Sequence, residues 1–253
     1  MKWIRYTHAG NLAYGILEGD VIEPVRGDPF GGYERLGGSI ALADVRIEVP
    51  VVPPTFYCVG LNYAKHAAEH GMKMPTQPDV GYRANNALTA HGTEVSMPSD
   101  AAKVQYEGEL VVVIGKKARN LSPEEARSCV LGYTIGNDVS DRAWQASDRT
   151  FWRAKNADTF KPMGPWIETE ANLDAMETVV RLNGEEQIRF GTNDMVFGVD
   201  RFISTMSQYL TLYPGDILWM GTEGSSPDLK HGDVVDISLT GLGTLSNRFV
   251  RED

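Results

Sequence analysis

Apolar and polar positions along this chain alternate mostly at period two, and the pattern predicts many short strands and few helices. Trp3–Thr7, Leu12–Leu17 and Val21–Val25 are alternating runs separated by His8-Ala-Gly-Asn11 and Glu18-Gly-Asp20, residues suited to tight hairpin turns. Pro50, Pro53 and Pro54 then interrupt any ladder, so residues 1–50 are expected to form a small N-terminal β domain and residues 51–253 the main domain. Further strands are predicted at Phe56–Val59, within 105–114 and 132–139, at Ile217–Met220 after the turn Tyr213-Pro-Gly-Asp216, and at Asp233–Leu239 and Gly243–Val250. Helical spacing is confined to short segments. One is Val199–Tyr209; another is Ala126–Leu131, preceded by Ser122-Pro-Glu-Glu125, in which the serine can cap and the glutamate can complete a capping box. The expected class is α+β, dominated by β structure.

Within 105–114, Glu107 and Glu109 enter a run otherwise apolar enough to be buried, and alternation puts both on one face. On a wet strand face such a pair would be an ordinary solvated feature. In a buried strand, two like charges need a cation or a shared proton to offset them. Asp138 ends the β-rich stretch Gly132–Val139 and can converge on a neighbouring strand, completing a set of three carboxylates. All-oxygen donors without Cys or His suit Mg²⁺ or Mn²⁺ better than zinc. A second pair, His66 and Glu69, shares a face if the segment is helical. It could act as a base with its orienting carboxylate, or be a surface contact.

Composition narrows the classes. The chain has 253 residues, 42% of them hydrophobic, ample for a packed core. A formal charge of −10, with no basic run or aromatic-basic stripe, argues against nucleic acid. No apolar run approaches the length of a membrane span, and the N-terminus lacks the order of a signal peptide. A cytoplasmic protein is expected. Cys58 and Cys129 lack any metal or redox spacing and are expected to be inert buried thiols.

Five blocks occur in a fixed order: Gly60-Leu-Asn-Tyr63 with His66 and Glu69; Tyr106-Glu-Gly-Glu-Leu110; Gly132–Ser140; Lys155-Asn-Ala-Asp-Thr-Phe160 with Gly164-Pro-Trp-Ile167; and Pro214–Thr222. Together they resemble the fumarylacetoacetate hydrolase family, from about Phe56 to the C-terminus. The resemblance implies a mixed β-roll or barrel-like core and a homodimer. It implies Mg²⁺ or Mn²⁺ on Glu107, Glu109 and Asp138, a His66/Glu69 dyad on a segment closing over substrate towards Gly71 and Pro75, and Lys155 facing the reacting carbonyl. By the same resemblance Gln145 donates to a substrate carbonyl and Thr222 binds the substrate carboxylate. The implied substrates are small 2-oxo or 1,3-dioxo acids. Hydrolysis of a C–C bond in an acylpyruvate-like compound is the leading expectation. Isomerisation, tautomerisation or decarboxylation of an unsaturated 2-oxo dicarboxylic acid on the same scaffold is the alternative, and a non-catalytic metal-dependent oxo-acid binder is a rival from another class.

Two segments depart from the family pattern. Arg83 stands where many relatives have a lysine followed by proline, and its planar fork suggests a substrate with a second acid group. The segment 146–153 could shape the pocket wall or pack at a dimer contact; packing is expected for Phe151 and Trp152, and Asp148 is expected to be a solvated charge. His8, His70, His91 and His231 are assigned no catalytic part; the loop of His91 precedes the metal strand and could approach the site.

Overall fold

The N-terminal alternation becomes three consecutive antiparallel strands, Lys2–His8, Asn11–Glu18 and Val21–Asp28. The computed structural model describes residues 1–69 and 71–253; His70 lies outside the described residues. The turn after the first strand places Ala9 and Gly10 at φ of 46° and 80°, the doubly left-handed geometry that matches strand twist in a two-residue hairpin. Lys2–His8 also pairs with Lys161–Glu168, so these strands extend the sheet of the main body. From there the sheet continues through Val130–Asn137, Gly108–Ile114, Ile217–Trp219, Phe56–Val59 and Val80–Tyr82. A second, five-stranded sheet is formed by Glu94–Met97, Gly243–Arg251, Val234–Leu239, Glu177–Leu182 and Glu185–Gly191. The protein is β-dominated with mixed sheets, as expected, since Ile217–Trp219 runs parallel to Phe56–Val59 while most neighbours are antiparallel.

Gly108–Ile114 is buried along its whole length because both its faces are covered. Leu110, Val112 and Ile114 pack in the largest core with Ile135, Val180, Ile237 and Phe249. Val111 and Val113 join the opposite core with Phe56, Met163, Ile167 and Trp219. Each such side chain contributes about 1.5–3 kcal/mol on burial, so the strand is firmly held and so are the carboxylates at its start. Strand and helix expectations divide at one place. The Ser122 N–H donates to Glu125 Oε2 at 3.0 Å, half of the expected capping box. Yet only Ala126–Cys129 turns, as a 3₁₀ helix, and Val130 already opens the next strand. Pairing of Val130–Asn137 with Gly108–Ile114 outweighs the helical signal of Ala126–Leu131. Val199–Tyr209 is helical as predicted and buries Val199, Phe202, Ile203 and Met206.

Close packing of adjacent strands gives a first test. A Cβ on Gly132 would lie 2.4 Å from the Glu168 carbonyl oxygen, which belongs to the paired backbone and cannot swing aside. Gly132→Ala is expected to cost about 1–3 kcal/mol through overpacking. Urea unfolding should show a lower midpoint at unchanged slope; an unshifted midpoint would mean that the strands part freely here. Among the described residues no helix is long and apolar enough to cross a membrane.

Candidate active site

Glu107 and Glu109 leave one face at the start of their strand, and Asp138 follows directly on the paired strand, where Gly108 opposes Asn137. Two local bonds hold this junction: Asp138 N–H donates to the Glu107 carbonyl at 2.9 Å, and Glu107 N–H donates to Asn137 Oδ1 at 3.0 Å. One oxygen from each of Glu107, Glu109 and Asp138 can be chosen so that all lie within 4.8 Å of one another, and all three side chains are buried. The convergence expected from the sequence is therefore present.

Their electrostatics differ. Burial would raise Glu107, but Arg142 and Lys155 beside it take its pKa down to about 2. Asp138 is likewise taken well below the ordinary carboxylate range, its burial overcome by Arg83, Lys155 and Lys161. Glu109 goes the other way: burial, with Asp138 and Glu107 close by, pushes its carboxyl well above the usual range, against a hydrogen bond from Gly221 N–H at 2.7 Å. A divalent ion preferring oxygen would relieve that repulsion, so the donor set and its frustration both fit Mg²⁺ or Mn²⁺.

Several cations crowd the same carboxylates. Lys155 Nζ lies 2.7 Å from both Glu107 Oε2 and Asp138 Oδ2. Arg142 Nη2 reaches Glu107 Oε1 at 2.5 Å, while its other nitrogens donate to Gln105 Oε1 at 2.9 Å and Gln145 Oε1 at 2.7 Å. With the carbonyl end of Gln145 occupied, its amide N–H is the end left to donate. Lys161, wholly buried, sits 2.8 Å from Asp138 Oδ1 and donates to the Val139 and Phe160 carbonyls, also at 2.8 Å. Burial lowers its pKa to about 8, with the Asp138 charge opposing. Arg83 does not present its fork to open space: Nη2 lies 3.2 Å from Asp138 Oδ2, and Nη1 donates to the Tyr82 carbonyl.

A cavity of about 910 Å³ opens over this cluster, and His66, Arg83, Gln145, Lys155 and Thr222 all line it. His66 lies on the short helix Ala64–Glu69. Its Nδ1 meets the Gly224 carbonyl at 2.5 Å, a contact that keeps the proton on Nδ1 and leaves Nε2 as the basic nitrogen. Nothing in the sequence marks this orienting carbonyl; Glu69 is exposed and stands near Gly224, 3.9 Å from where a Cβ there would be. Thr222 is buried beside Gly221, whose φ of 85° turns the chain so that its N–H meets Glu109. Phe151 lines the cavity, the pocket-wall alternative for this segment, and Trp152 is 67% exposed on the single chain. Asp148 is not a solvated charge: it is buried, accepts from Ala154 N–H at 2.9 Å and pairs with Arg153 at 3.1 Å. His91 accepts from Ser246 N–H at 3.1 Å, a bond within the structural frame. Cys58 and Cys129 are buried free thiols, and burial pushes Cys58 up to about 11, as befits inert residues.

Fold and site together define a β-dominated protein whose paired strands deliver buried carboxylates to a small-molecule cavity. Residues 55–250 match the family described as fumarylacetoacetate (FAA) hydrolase C-terminal, and residues 1–50 match Rv2993c-like, N-terminal. The chain belongs to the fumarylacetoacetate hydrolase family. It is 36% identical to Protein Rv2993c of Mycobacterium tuberculosis, over all of this chain and 99% of that one. It is 38% identical to 2,4-didehydro-3-deoxy-L-rhamnonate hydrolase of a Sphingomonas species, over 96% of this chain and 94% of that one. Among solved structures, 5-carboxymethyl-2-hydroxymuconate delta-isomerase from Mycobacterium smegmatis superposes with a TM-score of 0.92 at 35% identity, covering 100% of both chains.

Proposed function

We propose that this chain is a Mg²⁺- or Mn²⁺-dependent hydrolase that cleaves a C–C bond in a small acylpyruvate or 1,3-dioxo acid. The observation carrying this reading is the convergence of Glu107, Glu109 and Asp138 in a cavity that also holds His66. A divalent ion on those carboxylates would supply Lewis acidity and a template for a chelating oxo-acid. The Thr222 hydroxyl and Gln145 amide would bind substrate oxygens, and Lys155 would stabilise negative charge on them. His66 Nε2 would take a proton from water; the hydroxide oxygen bonds to the distal carbonyl carbon, and the C–C bond breaks with its electron pair entering an enolate. The imidazolium then returns the proton to carbon, giving a carboxylic acid and a 2-oxo acid. Glu69, on the same short helix, would be the carboxylate of the dyad.

Isomerisation, tautomerisation or decarboxylation of an unsaturated 2-oxo dicarboxylic acid is the second reading, supported by the full-length likeness to an isomerase. The test follows loss of enol absorbance for acylpyruvates, fumarylpyruvate, oxaloacetate and unsaturated 2-oxo diacids, with product identification. Turnover requiring Mg²⁺ or Mn²⁺ and stopped by EDTA is the expected result. Binding of Mg²⁺ and oxalate with no turnover of any oxo-acid would replace the enzyme reading with that of a metal-dependent binder.

A further inference from the structure

Lys103, Gln105, Glu107 and Glu109 all line the cavity: the strand is interrupted at Tyr106 and Glu107, between Val104–Gln105 and Gly108–Ile114, yet every second residue from Glu109 out to Lys103 still faces it. Even fully extended, the chain from Lys103 to Glu107 spans at most about 13–14 Å. The Lys103 backbone is fixed at both ends: the N–H donates to Asp141 Oδ2 at 2.8 Å and the carbonyl accepts from Arg142 N–H at 2.9 Å. Of the other cations lining the cavity, Lys73 lies on the exposed stretch beyond the short helix Ala64–Glu69, and those at the base are committed. Arg83 is paired with Asp138, Arg142 with Glu107, and Lys155 with both. Among the described residues the Lys103 ammonium enters no ion pair, and Asp79, the other carboxylate of the lining, lies against Gly60.

The geometry points to Lys103 as the group that receives the second carboxylate of a linear 2-oxo diacid, moving that role away from Arg83. The inference rests on the reading of Glu107, Glu109 and Asp138 as metal ligands, since they hold the oxo-acid end. A four-carbon diacid keeps its two carboxylates too close together to use both ends of this face. About six or seven carbons span the interval once the lysine stem reaches inward. Lys103 is thus a specificity-determining residue that selects the longer diacids.

Calorimetry on the full chain saturated with Mg²⁺ tests this with two probes, oxalate and 2-oxopimelate. Lys103→Met should weaken 2-oxopimelate about ten- to hundredfold, the loss of one charge-assisted hydrogen bond. Oxalate, which occupies the metal end alone, should bind unchanged, and Lys103→Arg should restore most of the diacid affinity. Equal losses for both probes, or none for 2-oxopimelate, would overturn the role of Lys103 while leaving the metal site standing. Failure of oxalate to bind the wild type in a Mg²⁺-dependent way would overturn the metal-site reading and this inference with it.

Discussion

Replacing Glu109 with glutamine should stabilise the metal-free protein near neutral pH and remove its response to Mg²⁺ or Mn²⁺. Glu109 is 3% exposed and its folded pKa is raised by burial and by Asp138 and Glu107. A group raised in this way contributes stability below its unfolded pKa and loses it as pH rises through the folded value. The metal-free wild type therefore carries a penalty at neutral pH that glutamine lacks, on the order of 1–3 kcal/mol. Glutamine can still accept the Gly221 N–H, so the turn it supports survives. Glu107 and Asp138 have the opposite sign: their pKa values are depressed, their contributions are present at neutral pH, and these are lost only as pH falls through the folded values. They persist in the variant. The cost falls on ion affinity, which should drop by about a hundredfold or more with one charged oxygen donor gone. Thermal unfolding at pH 5 and pH 7.5, in EDTA and in MgCl₂, separates these effects. A variant less stable than wild type in EDTA at pH 7.5 would refute the idea that Glu109 is held in an unfavourable state awaiting a cation.

Glu109 also shows which parts of the site could be read from one dimension. Period two put Glu107 and Glu109 on one face, and the strand end at Asp138 required only the pairing of two adjacent segments. Arg142 was within reach of the same reasoning. It precedes Gln145 by three positions on the short helix Arg142–Gln145, so the two share a face, and it follows Asp138 by four residues. Lys161 was not. It lies between Phe160 and Pro162 with nothing local to mark it as buried, and its three acceptors are brought together only by the strand Lys161–Glu168 running beside Val130–Asn137. Arg83 is visible in the sequence as a cation but not as a partner of Asp138, because the segment carrying it is far away in sequence. The failed helix at Ala126–Leu131 has the same origin. Half of its capping box forms, but cross-strand pairing starting at Val130 decides the outcome.

The same distinction between local and assembled features bears on His66, where replacement by asparagine should separate two chemistries. The ring is held through Nδ1 at the Gly224 carbonyl, and an asparagine amide can offer a donor near that position while deleting Nε2. If Nε2 removes a proton from water, kcat for C–C hydrolysis should fall by about 10²–10⁴, with Mg²⁺ affinity and substrate KM little changed. Decarboxylation of oxaloacetate should persist: electrons from the breaking bond pass into an enolate, with no water to activate. The carboxylates and Lys155 that would stabilise that enolate are untouched by the substitution. Steady-state kinetics on an acylpyruvate and on oxaloacetate, measured side by side on one preparation, make the comparison internal. Equal losses in both reactions would show that His66 orders the cavity instead of acting as a base, since loss of proton abstraction cannot slow a step that needs none. Undiminished hydrolysis would remove His66 from the mechanism and shift the search for the base to the remaining groups of the cavity.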